Sequence, residues 1–228
     1  MKPLTVIEQI LRNRDQFFIE IRDGVGLRAK IRAMVLSSLV CLLVYGAVLG
    51  STHSALQALS SAIKVPVLFL ATLVVCSPTL YFFEVLFGSN QTIVSSFCLV
   101  LTAITVTSVL LLAFAPVSLF FLLSSSNYQF FKLLNVAIFA ISAIRGVSFL
   151  SYGTRIVAAN TEGAAVRRRV VSLWVILYAV VGSQMAWTLR PFVGAPSLPF
   201  ELFRNLGGNF YSNVLGSIGE ILGLWVVR

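Results

Sequence analysis

Two charged residues, Glu84 and Arg145, lie inside long apolar stretches of this 228-residue chain. An unpaired charge at the centre of a bilayer costs about 3 kcal/mol on insertion scales, so a partner or an aqueous cavity is expected. If both stretches cross a membrane in the same direction, the two residues lie toward the same side, less than two helical turns apart in depth. We therefore predict that Glu84 and Arg145 pair, directly or through water.

This pair has two interpretations. It is either a proton or ion relay, or a structural clasp that fixes helix register, with Arg145 also able to extend toward the lipid headgroups. A transporter usually carries more than one acidic residue at membrane depth, and the other apolar stretches contain none. The structural interpretation is therefore favoured.

Two prolines occupy similar positions in neighbouring apolar stretches. The segments SPTLYFF, which begins at Ser77, and APVSLFF, which begins at Ala115, each place Phe-Phe four and five residues after the proline. Pro78 and Pro116 each remove a helix hydrogen bond and are predicted to break or bend their helices. Interrupted helices form transporter sites, but two kinked helices that pack closely explain the pattern more simply.

No set of residues suited to catalysis or metal binding is recognisable. His53 is the only histidine, and no cysteine or carboxylate is predicted at its depth. Cys41, Cys76 and Cys98 fall within apolar stretches, where they are predicted to be small apolar side chains rather than disulfides or ligands. Because a nucleophile elbow and a phosphate-binding loop are also lacking, the sequence predicts no enzyme and no cofactor.

The composition indicates a membrane protein. Hydrophobic residues make up 58% of the chain and charged residues 11%, with a mean hydropathy of +0.94, whereas soluble domains contain about 25% charged residues. The net charge of +9 is explained by orientation and by anionic lipid. A nucleic-acid partner is not predicted, because no basic soluble domain is present.

The apolar runs predict an all-α fold, a polytopic transmembrane helix bundle with about five spans in residues 33–190. The spans are expected at about 33–52, 65–88, 93–123, 131–153 and 170–189. The stretch THSALQALSSAIK after the first span is predicted to be a short interfacial helix. Residues 210–227 have helical periodicity and are predicted to lie on the membrane. A sixth span is the alternative for this segment.

Both ends of the chain are predicted to be amphipathic arms at the membrane surface, over residues 1–32 and 191–228. The apolar face of the first arm is predicted to contain Leu4, Ile7, Leu11, Phe18 and Ile21. Headgroup or interface contacts are predicted for the basic and aromatic residues Arg28, Lys30, Arg32, Arg167, Arg168, Arg169, Trp187 and Arg190.

The distribution of basic residues predicts the orientation. Lysine and arginine concentrate in the N-terminal arm and in the loop between the fourth and fifth spans. With five spans, both segments fall on one side, which the positive-inside rule makes cytoplasmic.

Several segments resemble a largely uncharacterised family of small multi-pass membrane proteins of cyanobacteria. The resemblance lies in GSQMAWTLRPF (Gly182–Phe192), the following GAPSLPFELFR and GNFY, Ala62–Phe83, and NYQFFKLLN (Asn127–Asn135). Such proteins are sometimes labelled as WASP-homology actin-binding motif proteins, a label that here would rest on the arm and LRAK at Leu27–Lys30. A juxtamembrane arm explains that pattern without actin. The five-span layout is also similar to Yip-type membrane proteins.

These observations predict a non-enzymatic accessory, scaffold or assembly subunit of a larger integral membrane complex. Its partners would be the lipid bilayer and other membrane-protein subunits, or further copies in a homo-oligomer. The resemblance implies a bacterial plasma membrane or a cyanobacterial thylakoid membrane. The alternative is a small transporter or channel that uses the Glu84/Arg145 pair and helices broken at Pro78 and Pro116.

Overall fold

The computed structural model describes residues 2–86, 92–124, 127–157, 164–194, 199–203 and 208–221. Within these ranges, the side chains of Glu84, residues 164–168 and Ile221 are not described. The described residues form eight α-helices and no strand. They are α1 (Pro3–Arg12), α2 (Arg14–Arg22), α3 (Leu27–Gly50), α4 (Ala55–Leu86), α5 (Ile93–Ser124), α6 (Tyr128–Val157), α7 (Ala164–Leu189) and α8 (Phe210–Ile221).

Five of these helices, α3 to α7, are long and apolar enough to cross a membrane. The all-α, five-span fold predicted from the sequence is therefore confirmed. The spans alternate in direction. We call the end of the bundle where α3, α5 and α7 begin the arm end, and the opposite end the tail end.

The stretch predicted to be a separate interfacial helix is instead the beginning of α4. This helix begins at Ala55 and continues through Pro66 to Leu86. The prediction was wrong because the polar residues of this stretch do not face water. Gln57, Ser61 and Lys64 lie on one face, at helical spacing, and all three are buried.

Close approach of helices holds the centre of the bundle together. Helix α3 packs against both α4 and α5, and α5 packs against α6. A Cβ atom added at Gly46 would lie 2.5 Å from the carbonyl oxygen of Ser61 and 2.9 Å from Cα of Ala62. Because small residues let backbones approach, dispersion contacts and hydrogen bonds between helices can replace the hydrophobic effect that lipid does not supply.

Buried side-chain hydrogen bonds link three of the helices. Tyr45 of α3 and Ser118 of α5 each donate to Oδ1 of Asn135 in α6, at 2.8 Å and 2.9 Å. The amide nitrogen of Asn135 donates to the carbonyl oxygen of Phe131 at 2.8 Å. Nearer the middle, the hydroxyl of Ser38 donates to Thr105 at 3.1 Å. In a membrane these groups have no water to bond instead, so the network helps to fix helix register.

The N-terminal arm packs on the arm end of the bundle. Asn13 separates α1 from α2. The buried residues are Val6, Ile10, Phe17, Phe18 and Ile21, whereas Leu4 and Leu11 of the predicted apolar face are exposed. One side of the arm therefore covers protein, including Phe18 and Ile21 of the predicted apolar face. Contact of its exposed leucines with the membrane stays a prediction.

The C-terminal segment contains a short helix that contacts the tail end. The twelve described residues of α8 rise about 18 Å, which is less than the roughly 30 Å hydrocarbon core of a bilayer. Gln129 of α6 donates to Glu220 at 2.9 Å, and Lys132 donates to Asn213 at 3.1 Å. Residues 222–228 of the predicted tail helix lie outside the described residues.

Candidate functional site

Among the residues that the structure describes, Arg145 is a basic residue that lies well inside a span without being packed against the bundle. It lies on α6, whose inward face is formed by Ser142, Gly146 and Leu150. The side chain of Arg145 is exposed, as are those of Ile141 and Ile144 on the outward side. The ion pairs that the described residues form do not include Arg145.

Contacts between helices fix the level of Arg145 within the bundle. Its neighbour Gly146 packs against Thr107 of α5, and Thr105 of α5 bonds to Ser38 of α3. Arg145 is therefore level with Ser38, near the middle of α3. The exposed Arg32 of α3 lies six residues from Ser38, a rise of about 9 Å. A guanidinium group at the level of Ser38, on the outside of the bundle, therefore faces the hydrocarbon region of a bilayer.

The same registers place Glu84 far from this level. Helix α3 meets α4 where Gly46 packs against Ser61. Eight residues back along α3, the level of Ser38 corresponds to about Phe69 of the antiparallel helix α4. Glu84 lies fifteen residues further toward the arm end, a rise of about 22 Å.

The predicted closeness of Glu84 and Arg145 in depth is therefore not found. A separation of this size exceeds the combined reach of the two side chains, which argues against a direct ion pair within one chain. The side chain of Glu84 lies outside the described residues, so its partner stays a prediction.

Neither proline predicted to break a helix does so. Helix α4 continues through Pro78, and α5 continues through Pro116. Each proline still lacks an amide hydrogen. The carbonyl oxygen of Val74, four residues before Pro78, accepts a hydrogen bond from Ser77 at 3.5 Å instead. The broken helices that suggested a transporter site are thus absent from this part of the structure.

The arm end contains an ion pair between a buried lysine and a half-buried glutamate, which the sequence did not predict. Nζ of Lys30 lies 2.7 Å from Oε2 of Glu20 and donates to the carbonyl oxygen of Val25 at 2.8 Å. Gly24 and Gly26, in the turn between α2 and α3, have φ angles of 76° and 66°, a conformation that glycine adopts without strain. Lys30 is only 4% exposed, so its predicted headgroup contact was wrong.

The other basic residues at this end keep the exposure that a headgroup contact requires. Arg28, Arg32 and Arg169 are exposed, whereas the side chains of Arg167 and Arg168 lie outside the described residues. An open pocket of about 790 Å³ lies beside Arg28 and is also lined by Arg22, Thr92 and Ser95. The headgroup contacts themselves stay predictions.

Acid should weaken the docking of the arm. The hydrogen bond from Lys30, followed by the one from Gln16, holds the pKa of Glu20 below its ordinary value. A lowered folded-state pKa stabilises the fold above the unfolded carboxyl pKa of about 4.3, and this contribution is lost as the pH falls through the folded value.

We expect Glu20→Gln to lower the unfolding temperature at pH 7, and this difference from the parent to disappear once the pH falls below the folded-state pKa of Glu20. Unfolding followed from pH 3 to pH 8 in detergent checks this. Glu8→Gln, at an exposed pair with Arg12, is the control and should differ little at any pH. A Glu20→Gln deficit that persists unchanged in acid would contradict the assignment.

At the tail end, one face of α4 binds the segment that follows α7. Gln57 donates to the carbonyl oxygen of Pro191 at 3.0 Å, and Ser61 donates to that of Phe192 at 2.6 Å. Lys64 donates to Pro191 at 3.3 Å and also to the carbonyl oxygen of Leu202. The i, i+4, i+7 spacing of these three residues is the sequence signal that identifies the face.

Removing the amine of Lys64 should release this segment. We expect Lys64→Met to speed amide hydrogen exchange in 192–194 and 199–203, because the carbonyl groups lose their shared donor while the apolar stem is kept. Exchange in the N-terminal arm should not change. Lys132→Met, which removes the bond to Asn213 instead, is the control. Unchanged exchange in 199–203 would show that Lys64 does not hold it.

The remaining residues singled out in the sequence lie near this segment. The guanidinium carbon of Arg190 lies 3.4 Å from the ring centroid of Trp187, a stacked cation–π contact. Nδ1 of His53 lies 3.3 Å from the hydroxyl of Ser54, and the His53 ring packs against Gly194. Among the described residues, no group of three or more histidine, cysteine, aspartate or glutamate side chains could hold a metal.

Sequence reasoning did not anticipate the outward position of Arg145. The only available signal was its spacing from the small residues Ser142 and Gly146, which mark the packed face. The resemblance to cyanobacterial membrane proteins stays a prediction. No protein-family model matches the chain, and neither curated proteins nor solved structures include a significant match.

Proposed function

We propose that this chain is a non-enzymatic accessory or scaffold subunit of a larger integral membrane complex. The observation that carries the proposal is the exposed Arg145 at the middle level of the bundle. Charged residues within membranes almost always face a bundle interior, an aqueous cavity or a partner. A surface of this kind is expected on a subunit whose neighbour supplies the partner.

The shape of the chain supports the same proposal. The arm and the segment after α7 both pack on the bundle through buried contacts, while the outer faces of the spans expose large apolar side chains. We further propose that the arm end faces the cytoplasm, since arginine and lysine concentrate there, and that the membrane is a plasma or thylakoid membrane.

The transporter alternative has lost the features that favoured it. Helices α4 and α5 are uninterrupted, and Arg145 faces away from α5. The middle of the bundle is filled by apolar side chains and by bonded hydroxyls such as those of Ser38 and Thr105.

Purification from native membranes in mild detergent tests the proposal. We expect the 24.9 kDa chain to elute in a larger particle with another membrane protein at fixed stoichiometry. A lone chain or homo-oligomer that moves ions across liposome membranes would contradict the proposal and support the alternative.

A further inference from the structure

We infer that the outer face of α6 docks against a transmembrane helix of a different protein, which places an aspartate or glutamate opposite Arg145 near the middle of the bilayer. This inference rests on the proposed function and specifies the partner of the subunit. It begins from an exposed positive charge at a depth where lipid offers nothing to neutralise it.

Arg145 lies below the nearest charged groups of the arm. Tyr152, which donates to Asp15 and lies under the guanidinium group of Arg14, is seven residues further along α6, a rise of about 10 Å. Because a helical side chain tilts toward the N-terminus of its helix, which for α6 is the tail end, the guanidinium group of Arg145 is directed away from that level. A carboxylate at the same depth is the partner that matches its charge and its planar array of donors.

A second copy of the chain does not supply that carboxylate. The sequence contains eight acidic residues, and the six whose side chains the structure describes all lie at the two ends of the bundle, away from the level of Arg145. Four are in the N-terminal arm, Glu84 is near the end of α4, Glu162 precedes α7, and Glu201 and Glu220 follow α7 at the tail end. A copy in either orientation would leave Arg145 unpaired at mid-membrane, so the partner must be another protein.

The face around Arg145 suits a closely packed helix. Ala137, Ile141, Ile144 and Ser148 are exposed at i, i+4, i+7 and i+11, so they form one stripe beside Arg145. The two isoleucines of this stripe offer apolar surface to a neighbouring helix beside the charge. The hydroxyl of Ser148 donates to the carbonyl oxygen of Ile144 at 2.8 Å, so it adds no unpaired donor to the surface.

The test compares variants of the tagged full-length chain captured from its native membranes. Arg145→Leu and Arg145→Glu should each lower the partner recovered per chain by about tenfold or more, since either leaves a carboxylate unpaired in the membrane. Arg145→Lys keeps the charge and should retain most of the partner. Arg169→Leu removes an exposed arginine at the arm end and should have no effect.

A reciprocal exchange identifies the carboxylate. The captured protein should contain an aspartate or glutamate in the middle third of a span, and its replacement by arginine should restore capture by Arg145→Glu. Full capture by Arg145→Leu, or a partner without such a residue, would overturn this inference but leave the accessory-subunit proposal intact. A parent chain that purifies alone would overturn both.

Misfolding of a variant is detected separately. Cys41, Cys76 and Cys98 are all buried, so a thiol-reactive dye reports unfolding of the chain. If Arg145→Leu lowers the unfolding temperature, the test uses a variant of the partner instead. In that variant the aspartate or glutamate opposite Arg145 is replaced by asparagine or glutamine, and capture should fall. Retained capture by that partner variant would overturn the inference.

Discussion

Gly46→Ala is expected to destabilise the bundle by about 2–3 kcal/mol. The three atoms nearest to the new methyl group are backbone atoms of α4, namely O and C of Ser61 and Cα of Ala62, at 2.5, 3.0 and 2.9 Å. Backbone atoms cannot rotate away as a side chain would. The two helices must therefore separate, which removes dispersion contacts along their whole interface.

A matched substitution separates this clash from the intrinsic effect of alanine. A Cβ atom at Gly182 in α7 would meet Cγ2 of Thr72 at 3.7 Å, an ordinary contact. Alanine favours a helix over glycine by up to about 1 kcal/mol, so Gly182→Ala should be neutral or stabilising. Dye labelling of the buried cysteines on heating measures both variants. Equal unfolding temperatures for the two would contradict the described contact between α3 and α4.

Asn135→Leu is expected to cost about 2 kcal/mol. The substitution keeps much of the side-chain volume but removes the acceptor shared by Tyr45 and Ser118. The hydroxyl of Tyr45, a residue with no exposed surface, would then be buried without a partner. Such a group has no water to bond inside a membrane.

A double-mutant cycle tests this network. Tyr45→Phe removes the orphaned hydroxyl, so the double variant Tyr45→Phe/Asn135→Leu should be more stable than the sum of the two single effects predicts. Thermal unfolding of the four proteins gives the coupling energy. Strict additivity would show that the hydrogen bond between Tyr45 and Asn135 does not contribute.

Hydropathy was enough to predict the spans, because each must bury about 20 apolar residues in lipid whatever its neighbours are. Hydropathy could not show which face of each helix packs against the rest of the protein. Asn135 belongs to a predicted apolar span, and Lys64 to a connection that was predicted to be interfacial. Only their contacts in the structure show that both side chains are buried and hydrogen-bonded.

The error at the arm lies in the choice of helix face. The buried residues Val6, Ile10, Phe17 and Ile21 recur at i, i+4, i+11 and i+15, which is one continuous helical face. The predicted face was centred instead on Leu4, Leu11 and Phe18. Similarly, the predicted closeness of Glu84 and Arg145 assumed aligned helix ends. The difference in depth between residues of α4 and α6 depends on how α4 packs against α3 and how α6 packs against α5. The sequence of a single helix does not specify these contacts.

In this bundle, side chains between the helices hydrogen-bond to one another, whereas a charged side chain on the outer surface has no partner among the ion pairs of the described residues. Tyr45, Ser118 and Asn135 are bonded to one another across α3, α5 and α6, and Ser38 is bonded to Thr105, while Arg145 is exposed on the outward side of α6. The account therefore depends on whether another protein covers that side in the native membrane.

Site-specific photo-crosslinking in intact cells of the native organism tests this most directly. A photoreactive residue at Ile144, which is 64% exposed beside Arg145, is compared with one at Leu173 of α7, which is 67% exposed. We predict one discrete protein adduct from position 144 that is lost when Arg145→Leu is combined with it. Labelling of lipid alone at position 144 would contradict the account.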